Sequence, residues 1–119
     1  MSKKLLIIRC HKDICGEEIG IIETQCQFLG IDFRTEELVD PSTLEEIFKK
    51  YEEIGFTFDF IYVCSHGDSE GFEVDMGIEK YDVSWASFGG LICSSDIINH
   101  NTIFLLACCR GGFFNVATD

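Results

Sequence analysis

The chain has 119 residues, the size of one domain around one core, and a second domain is not expected. Apolar residues make up 46%, charged residues 25% and aromatics 13%, a globular composition that excludes a disordered tail, a collagen-like repeat and a coiled coil. Nine Lys and Arg face 21 Asp and Glu, a formal net charge of -12 that disfavours nucleic acid and anionic membrane surfaces as partners and suits basic peptides or protein surfaces.

Residues 4–10 are an apolar run of strand length, interrupted by Arg9. The run is too short for a signal-peptide core or a membrane span, and no later run reaches membrane length, so a soluble cytoplasmic protein is expected. Residues 11–18 are polar, contain Gly16 and read as a loop feeding a helix. Ile19, Ile22, Cys26 and Leu29 then recur at helical steps, and Gly30 ends the pattern.

A weaker strand is centred on Ile31 to Phe33. Pro41 and Ser42 announce the next helix, with Ser42 and Glu45 spaced as a capping box. Leu44, Ile47, Phe48, Tyr51 and Ile54 supply its buried face, and Gly55 ends it.

Phe58 to Cys64 is a nearly continuous apolar run, as expected of a strand covered on both faces, and it stops at Ser65-His66-Gly67-Asp68. Phe72, Val74, Met76 and Ile78 alternate, which predicts a small half-exposed strand or hairpin. Trp85 to Leu91 reads as a short helix weakened by Gly89-Gly90. Thr102 to Cys108 is the last buried strand, ending at Cys109-Arg110-Gly111-Gly112. Strands alternating with helices imply an α/β domain over residues 1–119, doubly wound, with a mostly parallel sheet and helices on both faces.

Seven cysteines, an odd number with no Cys-x-x-Cys, argue against a disulfide scaffold. Cys10, His11 and Cys15 are zinc-ligand types, but their spacing fits no common pattern. No Walker loop or dinucleotide fingerprint occurs, so neither metal nor cofactor is expected.

In an open parallel sheet ligands bind beyond the carboxyl ends of the strands. Two such ends carry reactive groups: one presents His66 followed by Gly67, the other Cys109 preceded by Cys108. On neighbouring strands they could flank one carbonyl. A thiolate would attack it, an imidazole would move protons, and backbone N–H groups, that of Gly67 among them, would hold the oxyanion. Each residue also has an ordinary reading, the histidine as a hydrogen-bonded loop residue and the cysteine as packing. Their pairing at the ends of two long apolar strands, with glycine close behind each, favours the chemical one.

Phe60-Ile-Tyr-Val-Cys-Ser-His66-Gly-Asp68 resembles the caspase-type histidine motif. Ile103-Phe-Leu-Leu-Ala-Cys-Cys109-Arg-Gly111 resembles the strand that ends in Gln-Ala-Cys-Arg-Gly, with Ala107 in place of the Gln and Cys108 in place of the Ala. The stretch from Val83-Ser84-Trp85 onward is more similar to the prokaryotic caspase-like proteins, the CHAT proteases and metacaspases. Specific identity is confined to about 20 residues of the chain. The resemblance implies a caspase-like cysteine peptidase with a Cys-His dyad. Cys109 is then the nucleophile, His66 the proton-transfer residue, and the N–H groups of Gly67 and Cys109 the oxyanion hole. Cys108 stays open as the alternative nucleophile; adjacent strand residues point to opposite faces, so only one of the two should face the histidine, and Cys109 is favoured.

A caspase-like core continues with further strands after the nucleophile, whereas this chain stops at Asp119. The expectation is therefore a large-subunit-like portion whose exposed sheet edge needs a C-terminal small subunit or the remaining chain. Cleavage after Asp119 in a longer precursor would suit maturation. Between the first strand and first helix there is Lys12 but no arginine, and Asp13, Glu17 and Glu18 are acidic. Asp13 and Glu18 become candidate substrate-binding residues for a basic side chain before the cleaved bond. Such proteins often act in bacterial stress or defence signalling. Two other readings stay open: a non-catalytic α/β interaction module of the same fold, and a flavodoxin-like or receiver domain.

Overall fold

The computed structural model describes residues 3–12 and 16–108. In chain order these form β1 (Lys4–Arg9), α1 (Gly16–Leu29), β2 (Asp32–Glu37), α2 (Pro41–Glu53), β3 (Phe60–Ser65), β4 (Gly71–Asp75), β5 (Lys80–Ser84), α3 (Trp85–Cys93) and β6 (Ile103–Cys108). Four strands make one parallel sheet in the order β2-β1-β3-β6, and β4 with β5 makes a separate antiparallel hairpin. The α/β class and the parallel sheet are as expected from the sequence. No helix among the described residues is long and apolar enough to cross a membrane.

Alternation along the central strands sends successive side chains to opposite faces, and both faces are covered. Leu6, Ile8, Ile61 and Val63 pack with Leu44, Ile47, Phe48 and Tyr51 of α2, Phe88 and Ile92 of α3, and Phe72, Val74 and Val83 of the hairpin. Leu5, Ile7, Tyr62 and Cys64 meet Ile19 and Cys26 of α1 on the other face. Each Leu, Ile or Phe removed from water in this way contributes roughly 1.5–3 kcal/mol.

Several elements differ from the sequence expectation. The N-cap of α2 is Asp40, not Ser42: its carboxylate accepts from the N–H groups of Ser42 and Thr43 at 2.9 and 3.2 Å. Pro41 at the first helical position holds the preceding residue in extended backbone, the geometry of a cap, and the Ser42 hydroxyl donates to Asp40 instead of capping. Ile54 is the C-cap and is 66% exposed, because the chain leaves the helix there through Gly55 at φ +69. Leu29 at the end of α1 is equally exposed.

The β6 strand also departs from expectation. It is the outermost strand of the described sheet, and Ile103 and Leu105 are exposed. An apolar run does not by itself distinguish an edge from a centre. Cys10, Cys26 and Cys64 are buried and Cys93 is exposed.

Glu52 ties α2 to the segment before β6, accepting from the Asp96 N–H and the Ser95 hydroxyl, both at 2.9 Å. These bonds hold its carboxyl below the ordinary 4.5. The Ser42 hydroxyl, with the first-turn N–H groups, holds Asp40 below 3.8. A carboxyl whose folded pKa is depressed lends stability above its unfolded pKa and loses it as pH falls through the folded one. The melting temperature is therefore expected to fall on acidification from about pH 5 to about pH 3. Glu52→Gln should flatten that fall; an unchanged slope would remove Glu52 from the account.

Candidate functional site

His66 follows directly on β3, at the carboxyl end of the sheet, and is half-buried. Its backbone is fixed from two sides. The His66 carbonyl accepts from the Glu73 N–H at 2.8 Å, and the Asp68 N–H donates to the Gly71 carbonyl at 2.9 Å. Between those bonds Gly67 bridges Phe72. This is the non-hydrogen-bonded kind of antiparallel pair, so the ladder leaves the Gly67 N–H unused and turned away from β4.

The loop after His66 is braced by its own side chains. The Asp68 carboxylate accepts from the N–H groups of Glu70 and Gly71 at 2.8 and 3.2 Å. Trp85 donates its indole N–H to the Asp68 carbonyl at 2.8 Å, and its backbone N–H to the Glu70 carbonyl at 3.0 Å. Gly71 pairs with Ser84 so closely that an added Cβ would lie 2.1 Å from the Val83 carbonyl oxygen, so no larger residue fits there. The buried hydroxyl of Ser65 donates to the Glu73 carbonyl, which pins the end of β3 to β4. The serine of the Ser-His-Gly sequence thus has a structural use.

The hairpin is also stitched to the end of β1. The Lys12 N–H donates to the Asp75 carbonyl at 2.9 Å and the Asp75 N–H to the Cys10 carbonyl at 2.7 Å, so His11 and Asp75 face each other as a parallel bridge. The His11 imidazole is buried. Its Nε2 lies 3.6 Å from a Glu73 carboxylate oxygen and 3.9 Å from one of Asp75. Its ring meets that of His66 edge to face, with centroids 4.7 Å apart.

A cleft of about 470 Å³ opens beside His66, lined in part by Gly67, Asp68, Glu70, Glu73 and Asp82. Four carboxylates on one cleft make it a strongly acidic environment suited to a cationic group.

The β3 and β6 strands are direct neighbours, parallel and in register, with Ser65 opposite Cys108. Cys108 is the last residue of β6. Cys109 and Asp13 lie outside the described residues. Glu18 stands in the first turn of α1, where its carboxylate accepts from the Tyr62 hydroxyl and from the Cys64 thiol at 3.5 Å. It lines a shallower cavity with Glu17, Ile21, Ile22 and Tyr62, apart from the cleft lined by His66.

Sequence reasoning did not single out Glu73, Asp75 or Asp82, and it weighed His11 only as a zinc-ligand type beside Cys10 and Cys15. His11 sits in a polar run without periodicity, which gave no sign of its carboxylate neighbours. Glu73 and Asp75 carried a signal, since they occupy the polar positions of the Phe72–Val74–Met76 alternation and so share a face.

No protein-family model matches the chain, and no curated protein is significantly similar to it.

Proposed function

We propose that the protein is a caspase-like cysteine endopeptidase that hydrolyses peptide bonds through Cys109 and His66. The observation that carries this reading is the pairing of β3 with β6, which sets Ser65 opposite Cys108 so that His66 and Cys109 are the next residues along two adjacent chains. Adjacent strands run about 4.8 Å apart, which is within reach of one scissile bond.

In the proposed reaction the Cys109 thiolate adds to the carbonyl carbon, and the carbonyl electron pair moves to oxygen. The Gly67 N–H, unused by the hairpin ladder, donates to that oxyanion. Collapse breaks the C–N bond, and imidazolium His66 gives its proton to the leaving amine. Water then attacks the thioester with His66 as base, releasing the carboxylic acid and the thiol.

The acidic lining of the cleft, Asp68, Glu70, Glu73 and Asp82, supports a substrate with Lys or Arg before the cleaved bond. Asp13 belongs to this reading as a further acidic contact, whereas Glu18 lines the separate cavity with Tyr62 and is not a contact of the His66 cleft. The exposed Ile103 and Leu105 on β6 support a small-subunit portion, or the remaining chain, lying along that edge. An odd number of cysteines with no Cys-x-x-Cys suits a reducing cytoplasm, and a role in bacterial stress or defence signalling is in keeping with the reading.

Peptidyl electrophiles test it. A probe with Lys or Arg at the reactive position is expected to label wild-type protein and the Cys108→Ala variant, and to leave Cys109→Ala unlabelled. Labelling only by an aspartyl probe would reject the basic specificity. Labelling retained in Cys109→Ala and lost in Cys108→Ala would reassign the nucleophile. Absence of labelling with every probe, together with slow alkylation of all thiols, would favour the interaction module.

A further inference from the structure

We propose that His11, Glu73 and Asp75 form a binding site for one divalent transition-metal ion of the Zn²⁺ class. Each offers one ligand atom, and the three atoms lie within 4.8 Å of one another. Around a four-coordinate ion with metal–ligand distances of about 2.0–2.2 Å, neighbouring ligand atoms stand roughly 3.3–3.6 Å apart. The 3.6 and 3.9 Å separations from His11 Nε2 to the two carboxylates are close to that span. They are longer than a direct N–H···O bond, typically about 2.7–3.2 Å.

The site is built on fixed backbone. His11 and Asp75 are locked by the two bonds that join β1 to β4, and Glu73 by its N–H to the His66 carbonyl. One oxygen of Asp75, Oδ1, accepts from the Gly77 N–H at 3.1 Å, which leaves Oδ2 as the atom turned to His11. Such a second contact orients a ligating carboxylate. The His11 side chain is 8% exposed and that of Asp75 13%, while Glu73 at 30% faces the cleft and gives an ion and its water a way in.

Charge and ligand type choose the ion. Two carboxylates share the site in a chain of net charge -12, so a cation is favoured there. An imidazole nitrogen favours Zn²⁺, Co²⁺ or Ni²⁺ over Ca²⁺ and Mg²⁺, which take oxygen. The sequence expected no metal; of the zinc-ligand types it noted, His11 belongs to this set, the Cys10 thiol points to the Ile8 carbonyl instead, and Cys15 lies outside the described residues.

Optical titration of the intact chain with Co²⁺ tests the proposal without reference to any activity. One equivalent should bind with weak visible bands of a nitrogen–oxygen site and no intense near-ultraviolet thiolate absorption. Zn²⁺ should displace it, and excess Ca²⁺ should not. His11→Ala and Asp75→Asn should each weaken binding by at least ~10-fold. Should His11→Ala fail to fold by circular dichroism, Glu73→Gln, at the cleft surface, gives the same reading. Binding unchanged in the folded variants, a thiolate spectrum, or no Co²⁺ binding by folded wild-type protein would each overturn the site.

Discussion

On the proposed dyad reading, replacing His66 by alanine is expected to lower peptide-bond hydrolysis by roughly 10²–10⁴-fold in kcat/KM, the usual weight of a positioned proton-transfer group. The imidazole is, on that reading, the group that takes the thiol proton, and its removal leaves the nucleophile without a base. The leaving amine also loses its proton donor. Both losses fall on the chemical step, so kcat should drop far more than KM changes. Iodoacetamide alkylation of Cys109 should slow in parallel, a readout that needs no substrate. The variant should keep its melting temperature within a few degrees, since His66 is half-buried and its backbone bonds to Glu73 survive the substitution. A His66→Ala protein that is folded, alkylated at the wild-type rate and equally active would end the dyad reading.

The central strands were legible because their physical cause is local. Leu5–Ile8 and Ile61–Cys64 are unbroken apolar runs that only a sheet covered on both faces can bury. The β2 strand, Asp-Phe-Arg-Thr-Glu-Glu, was legible only at its start, since an edge strand facing water tolerates charge along most of its length. The hairpin was half legible. The alternation from Phe72 ran on through Ile78 in the sequence, whereas the chain turns at Gly77 with φ +94, and β5 buries Val83 alone.

At the site, His66 was legible because it ends a strand and precedes glycine. Its neighbour His11 was noted only as a zinc-ligand type: its contact with His66 follows from the β1–β3 register, which sets Arg9 beside Cys64, and its contact with Asp75 exists only once β4 crosses to the end of β1. The acidic character of the cleft has the same origin: Asp68, Glu73 and Asp82 are scattered in sequence and are assembled by the hairpin and the loop before it. Periodicity assigned faces within the elements but failed at their ends, at Leu29, Ile54 and Ile78, and it carried no information about which face meets which.

The largest expected loss of stability from one substitution is at Phe58. It is fully buried immediately before β3, and its ring meets those of Tyr51 and Phe56 at centroid distances of 5.1 and 4.9 Å. Its N–H donates to the Ile97 carbonyl and its carbonyl accepts from the Thr102 hydroxyl, so the backbone cannot move in to fill a void. Phe58→Ala should therefore cost about 3–5 kcal/mol, the transfer term plus an unrelaxed cavity. That is a large share of the roughly 5–15 kcal/mol available to a domain of this kind. Phe28, 87% exposed on α1, is the internal control, and Phe28→Ala should stay within about 0.5 kcal/mol of wild type. Urea unfolding of the two variants separates these outcomes, with a lower midpoint and an unchanged slope expected for Phe58→Ala. Equal midpoints would mean that the aromatic cluster between α2 and β3 does not anchor the strand from which His66 emerges.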